Sequence, residues 1–152
     1  YEMQYLGFNY RITDIQCALA ISQMDKIDIF LEARRSMVKF YDQAFAKVKN
    51  ITSLQTHGRG DSSHHIYVVS INFEKIGISR HQFMKSLAEQ GVGSQVHYIP
   101  VVCQPYYQDI GYDIEHYPFT KKYYQNTLSI PLFYGLSNGQ QQMIVSSIIN
   151  LL

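Results

Sequence analysis

His65-Ile66-Tyr67-Val68-Val69-Ser70-Ile71-Asn72-Phe73 is the stretch on which the fold turns. Tyr67, Val69, Ile71 and Phe73 alternate with Val68, Ser70 and Asn72, the two-residue period of a half-buried strand over residues 65–73. Upstream the period becomes helical. Ile27, Phe30, Leu31, Val38, Tyr41 and Phe45 recur at helical spacing over residues 26–48, with Asp28, Glu32, Arg35, Lys39 and Asp42 as a solvated opposite side. Residues 15–24 are apolar on nearly every side and follow a helix start at Thr13 or Asp14. A helix of that kind is buried, or sandwiched between a core and a partner. Downstream, Ser79 with Gln82 forms a capping-box pattern. It opens a helix that carries Phe83, Met84, Leu87 and Ala88 and ends at Gly91. Residues 93–98 predict a second strand running into Ile99-Pro100, and residues 105–110 a short helical turn. Residues 119–127 predict a helix with Tyr123, Tyr124 and Leu128 facing inward. Residues 129–132 predict a short strand stopped by proline. Ser137 with Gln140 starts a last helix. The order argues α+β, a small sheet covered by helices.

The 152 residues suffice for one domain, and 46% hydrophobic against 16% charged residues exclude intrinsic disorder. A net charge of +1 gives no basic excess for nucleic acid or an anionic membrane surface. No run of about 18 apolar residues predicts a membrane span, and no signal peptide is visible. Cys17 and Cys103 make neither a disulfide framework nor a zinc pattern. Cys17, among Ala18, Leu19 and Ala20, reads as a buried apolar thiol and Cys103 as structural, which makes a reducing, cytoplasmic setting the default. An Arg-Gly-Asp triplet at residues 59–61 is too short to carry an adhesion reading. None of the six histidines pairs with a Cys or carboxylate at metal-ligand spacing, so no metal is expected. No glycine-rich phosphate loop and no Ser-His-Asp order is present. His97 and Tyr98 end a predicted strand just before Pro100, where side chains meet a cleft; a structurally satisfied histidine is the competing reading. Thirteen Tyr and eight Phe without Trp give a tyrosine-rich surface, suited to interfaces and sites.

At Gly7-Phe8-Asn9-Tyr10-Arg11-Ile12-Thr13-Asp14-Ile15-Gln16, with Ala18-Leu19 and Gln23 following, the chain resembles the pyridoxal-phosphate-dependent sugar aminotransferases of the DegT/DnrJ/EryC1/StrS family. Arg34-Arg35 with Tyr41 looks like that family's long helix. Residues 92–100, then Gln104-Pro105-Tyr106-Tyr107, look like its second signature. Tyr117-Pro118, Tyr123-Tyr124, residues 128–132 and Gly135-Leu136 complete the resemblance over essentially the whole chain. The His-Tyr-Ile-Pro and Gln-Pro-Tyr-Tyr details look most like the branch that makes the pseudaminic acid precursor, which aminates C4 of a UDP-linked 4-keto-6-deoxy hexosamine.

The resemblance implies the small C-terminal domain of a fold-type I aminotransferase, with a short, mainly antiparallel sheet covered by helices and preceded by a long helix. Residues 1–25 would be the end of the large cofactor domain and dimer interface. Residues 26–49 would be the connecting helix, and residues 50–152 the small domain. The opening at Tyr1, without Met, is then expected from a cut through a larger enzyme. The family's Schiff-base lysine would lie upstream; none of the eight lysines here matches it, so the chain alone is expected to be inactive and to hold no catalytic residue. Asn9 is implied to reach the cofactor phosphate of the other subunit of a homodimer, with a turn residue as the bland reading. Arg11 is implied to face the nucleotide diphosphate, or else to make a surface ion pair. His97 and Tyr98 are implied substrate contacts, with a UDP-linked keto sugar and glutamate as substrates. Val102 stands where relatives often carry His, so a contact through that side chain is absent. Two competitors remain: within the family, a non-catalytic sensory or regulatory relative lacking the lysine; outside it, a small tyrosine-rich interaction module.

Overall fold

The computed structural model describes residues 5–8, 10–54 and 62–152. Two helices come first, α1 (Asp14–Met24) and α2 (Ile27–Phe45), then strands β1 (Ile51–Ser53) and β2 (Tyr67–Ile71). Helices α3 (Phe73–Ile76), α4 (Arg80–Glu89), α5 (Pro105–Asp109) and α6 (Pro118–Asn126) follow. Strand β3 (Thr127–Ile130) and helix α7 (Asn138–Ile149) close the chain. The sheet is antiparallel in the order β1-β2-β3, with Val69 opposite both Ser53 and Leu128. The fold is α+β, as the alternation of periods predicts.

The core gathers around β2. Met37, Val38, Tyr41 and Phe45 come from one face of α2. Tyr67, Val69 and Ile71 come from β2, Leu128 and Ile130 from β3, Phe83 and Leu87 from α4, and Ile144, Val145 and Ile148 from α7. Polar bonds lock the layers. The Tyr41 hydroxyl donates to the Pro131 carbonyl at 2.9 Å, tying α2 to the end of β3. The buried Gln141 amide donates to the Met37 carbonyl at 3.2 Å, tying α7 to α2.

Several expectations need correction. The strand over residues 65–73 is shorter, because Asn72 caps α3: its side chain accepts from Lys75 N–H at 3.0 Å and diverts Phe73 into a helix. Val68 is buried as well as Tyr67 and Val69, since the central strand is covered on both faces. Residues 93–98 do not form a strand. Only Gln95 pairs, with Ser129; Gly93 has no side chain to pack, and Pro100 has no N–H to extend a ladder. Strand β1 has no matching expectation, being only three residues long. Tyr123 is 46% exposed and not inward-facing. Ala88 also faces solvent.

Helix α1 forms as the cap predicts. The Thr13 side chain accepts from Gln16 N–H at 3.4 Å while Gln16 accepts from Thr13 N–H at 2.9 Å. Yet none of its residues is buried. Ile15 is 84% exposed, and Leu19, Ile21 and Met24 are all exposed. The helix stands off the core with its apolar side chains uncovered. Cys17 is consequently half-buried and not enclosed; it and Cys103 are free thiols.

Candidate functional site

The end of β3 and the segment crossing it bring the two strand-end candidates together. Gln95 exchanges both backbone bonds with Ser129, its N–H donating at 3.0 Å and its carbonyl accepting at 2.7 Å. Two residues on, His97 Nδ1 lies 2.7 Å from the Ser129 hydroxyl. The Tyr98 ring meets the His97 ring edge-on, 4.7 Å between centroids, and is itself 76% exposed. The peptide bond between them is cis. A half-buried imidazole anchored on a buried strand thus sits beside a phenol open to solvent, a surface able to take a polar ligand by hydrogen bonds and ring contact.

The chain continues from Tyr98 into the turn at residues 101–103 and then α5, which begins with Pro105 at its first position. Tyr106 is exposed, while Tyr107 turns back edge-on against both Tyr106 and Tyr112. Tyr98 and Tyr106 are exposed, with no hydrogen bond from either hydroxyl among the described residues, and Tyr107 packs behind Tyr106. Arg11 is exposed on the arm before α1. No hydrogen bond among the described residues joins it to His97 or Tyr98. Asn9 lies outside the described residues.

Ser129 is the residue that sequence reasoning missed. It is 6% exposed in a strand buried along its whole length. A hydroxyl in such a run needs a partner, and that requirement was the available signal. Four of the lysines sit elsewhere. Lys85 pairs with Glu89 at 4.0 Å, Lys121 pairs with Glu115, and Lys75 and Lys122 line a separate cleft of about 270 Å³ beside β1 and β2. Among the described residues no group of three or more His, Cys, Asp or Glu could hold a metal ion, and no helix is long and apolar enough to cross a membrane.

Residues 1–149 match the model of the DegT/DnrJ/EryC1/StrS aminotransferase family. The chain is 29% identical over 150 residues to the spore coat polysaccharide biosynthesis protein SpsC of Bacillus subtilis, covering 97% of this chain and 39% of that protein. It resembles Helicobacter pylori PseC, an aminotransferase of pseudoaminic acid biosynthesis, at 25% identity and a TM-score of 0.87, over 99% of this chain and 40% of that one. It also resembles the pyridoxal-phosphate form of a sugar aminotransferase, Spr1654 of Streptococcus pneumoniae, at 28% identity and a TM-score of 0.83, over 92% of this chain and 36% of that one. The chain thus spans about two fifths of the length of the relatives it matches.

Proposed function

The chain belongs to the DegT/DnrJ/EryC1/StrS aminotransferase family, and we propose that it forms the C-terminal part of an enzyme that aminates a nucleotide-linked 4-keto-6-deoxy sugar. Glutamate is the amino donor in this reading, and pyridoxal phosphate the cofactor. Residues 1–25 end the large domain and meet the second subunit of a homodimer. Residues 26–49 connect, and residues 50–152 form the small domain. The observation that carries the reading is the uncovered apolar arm and α1, joined to a complete core behind them. A helix with Ile15, Leu19, Ile21 and Met24 in solvent is what a missing covering domain would leave. Two free thiols support a reducing, cytoplasmic setting.

Pyridoxal phosphate supplies the electron sink and amino carrier that transamination needs. The lysine that holds it belongs, in this reading, to the part of the enzyme before Tyr1. This chain's residues bind and orient. Asn9 donates from its amide to the cofactor phosphate of the other subunit, adding no second charge. Arg11 presents a fork of N–H donors to the diphosphate. His97 and Tyr98 hold the sugar at the strand-end mouth. The likeness to SpsC and to PseC is of similar strength, so the choice of a UDP-linked hexosamine rests on the His-Tyr-Ile-Pro and Gln-Pro-Tyr-Tyr segments.

The test begins with the reading frame upstream of Tyr1. It is expected to encode a cofactor domain with the lysine; the same domain without lysine would make the protein a non-catalytic relative. The full-length enzyme with glutamate and a UDP-linked 4-keto-6-deoxy hexosamine is expected to release the amino sugar, while the 152-residue chain gives none. Turnover by the chain alone would overturn the proposal. Asn9→Ala in the full-length enzyme is expected to weaken cofactor affinity about tenfold, the loss of one charge-assisted hydrogen bond. Unchanged affinity in a fluorescence titration removes Asn9 from the phosphate site.

A further inference from the structure

Ser129 occupies the most constrained position near the mouth. Val68 of β2 pairs with it on one side and Gln95 on the other. Its backbone N–H and carbonyl are both bonded to Gln95, and its side chain is almost wholly enclosed. The 2.7 Å contact with His97 Nδ1 is the hydroxyl's hydrogen bond among the described residues. A hydroxyl carries one proton, and a neutral imidazole carries one proton on either of two nitrogens. Two arrangements satisfy the distance. If Nδ1–H donated to the serine oxygen, the serine proton would be left buried without an acceptor, which costs its desolvation. If the serine donates to Nδ1, both buried atoms are satisfied, and the imidazole proton moves to Nε2.

We propose that Ser129 is a positioning residue whose hydroxyl donates to Nδ1 and holds His97 in the Nε2–H form. The site then presents an Nε2–H donor, matched to an acceptor oxygen of the sugar nucleotide. The edge-on Tyr98 ring packs against the imidazole. Ser129 reaches no ligand itself and acts only through His97. The inference rests on the reading of His97 as a substrate contact and adds which ring nitrogen carries the proton toward the substrate.

The experiment is ¹⁵N NMR of the full-length enzyme with ring-labelled histidine, combined with steady-state kinetics. The His97 signals are expected to show an unprotonated Nδ1 and a protonated Nε2. In Ser129→Ala the two tautomers are expected to mix, and KM for the nucleotide sugar to rise about fivefold with kcat little changed. Ser129→Thr, which keeps the hydroxyl, restores both. A wild-type spectrum with the neutral ring's proton on Nδ1 overturns the inference without any variant. So does a folded Ser129→Ala enzyme with unchanged His97 signals and KM. If His97→Ala leaves KM unchanged, the reading of His97 as a substrate contact fails instead, and the tautomer signals still report on Ser129 separately.

Discussion

Two tyrosines set the core's response to pH. The Tyr41 and Tyr67 rings meet at 5.0 Å between centroids, both wholly buried. Burial pushes the Tyr41 hydroxyl from its ordinary value of 10.0 up to about 12. Burial also raises Tyr67, and its 2.7 Å bond to the Asp42 carboxylate adds to the rise, because it favours the form that can donate. The sign follows from proton counts. Below pH 10 both folded and unfolded chains keep the Tyr41 proton, so the contribution to stability is full. Between pH 10 and 12 the unfolded chain loses that proton while the folded one retains it, and stability falls as pH rises. For Tyr41 the loss amounts to roughly 2–3 kcal/mol by pH 12. Urea denaturation across pH 8–12 is expected to show a flat region and then this decline. Tyr41→Phe should lower stability at pH 8 by about 1 kcal/mol, through loss of the bond to Pro131, and flatten the decline above pH 10. A decline of equal steepness in the variant would remove Tyr41 from this role.

At the scale of elements, three helices begin with the same reciprocal cap, and their different settings separate local from global stability. Thr13 with Gln16, Ser79 with Gln82 and Ser137 with Gln140 each exchange side-chain and backbone bonds. Helix α7 buries Ile144, Val145 and Ile148, whereas α1 buries nothing. Ser137→Ala is therefore expected to lower the unfolding free energy by about 1 kcal/mol. Thr13→Ala should leave the unfolding midpoint unchanged and instead speed amide exchange across α1, because an isolated helix of 11 residues is marginal. Equal loss of midpoint in both variants would mean that α1 unfolds with the core. These helix starts are legible in the sequence because a cap is a local chemical pattern. Sheet extents are less so. Asn72 ends β2 by a side-chain bond that competes with the alternation running through Phe73. At residues 93–98 the pairing is with β3, more than 30 positions downstream, and it involves Gln95 alone. His97 reads in the sequence as a strand-end residue although no strand forms there, and the serine that holds it reads only as a polar residue in an apolar segment.

The whole molecule divides into a closed core and an open arm. Tyr5, Leu6, Phe8, Tyr10 and Ile12 precede α1 and are all exposed, so the uncovered surface runs from the arm through Met24 and on to Ile29 at the start of α2. A solvated surface of that size on a chain with a net charge of only +1 has little electrostatic repulsion to keep copies apart. Burying each large side chain is worth roughly 1.5–3 kcal/mol, so a few of them offset the entropy of association. In the full-length enzyme the proposed cover is the cofactor domain and the partner subunit; in the 152-residue chain the available cover is another copy. Sedimentation velocity of the chain is expected to show concentration-dependent association. Leu19→Lys should shift it toward monomer while leaving the unfolding midpoint in place, since no α1 side chain enters the core. The same substitution in the full-length protein should weaken the dimer or its thermal stability, because the proposed cover would enclose the side chain there. A 152-residue chain that stays monomeric at every concentration, with a full-length enzyme indifferent to Leu19→Lys, would show that the arm is not a covered interface and would remove the main support for a domain preceding it.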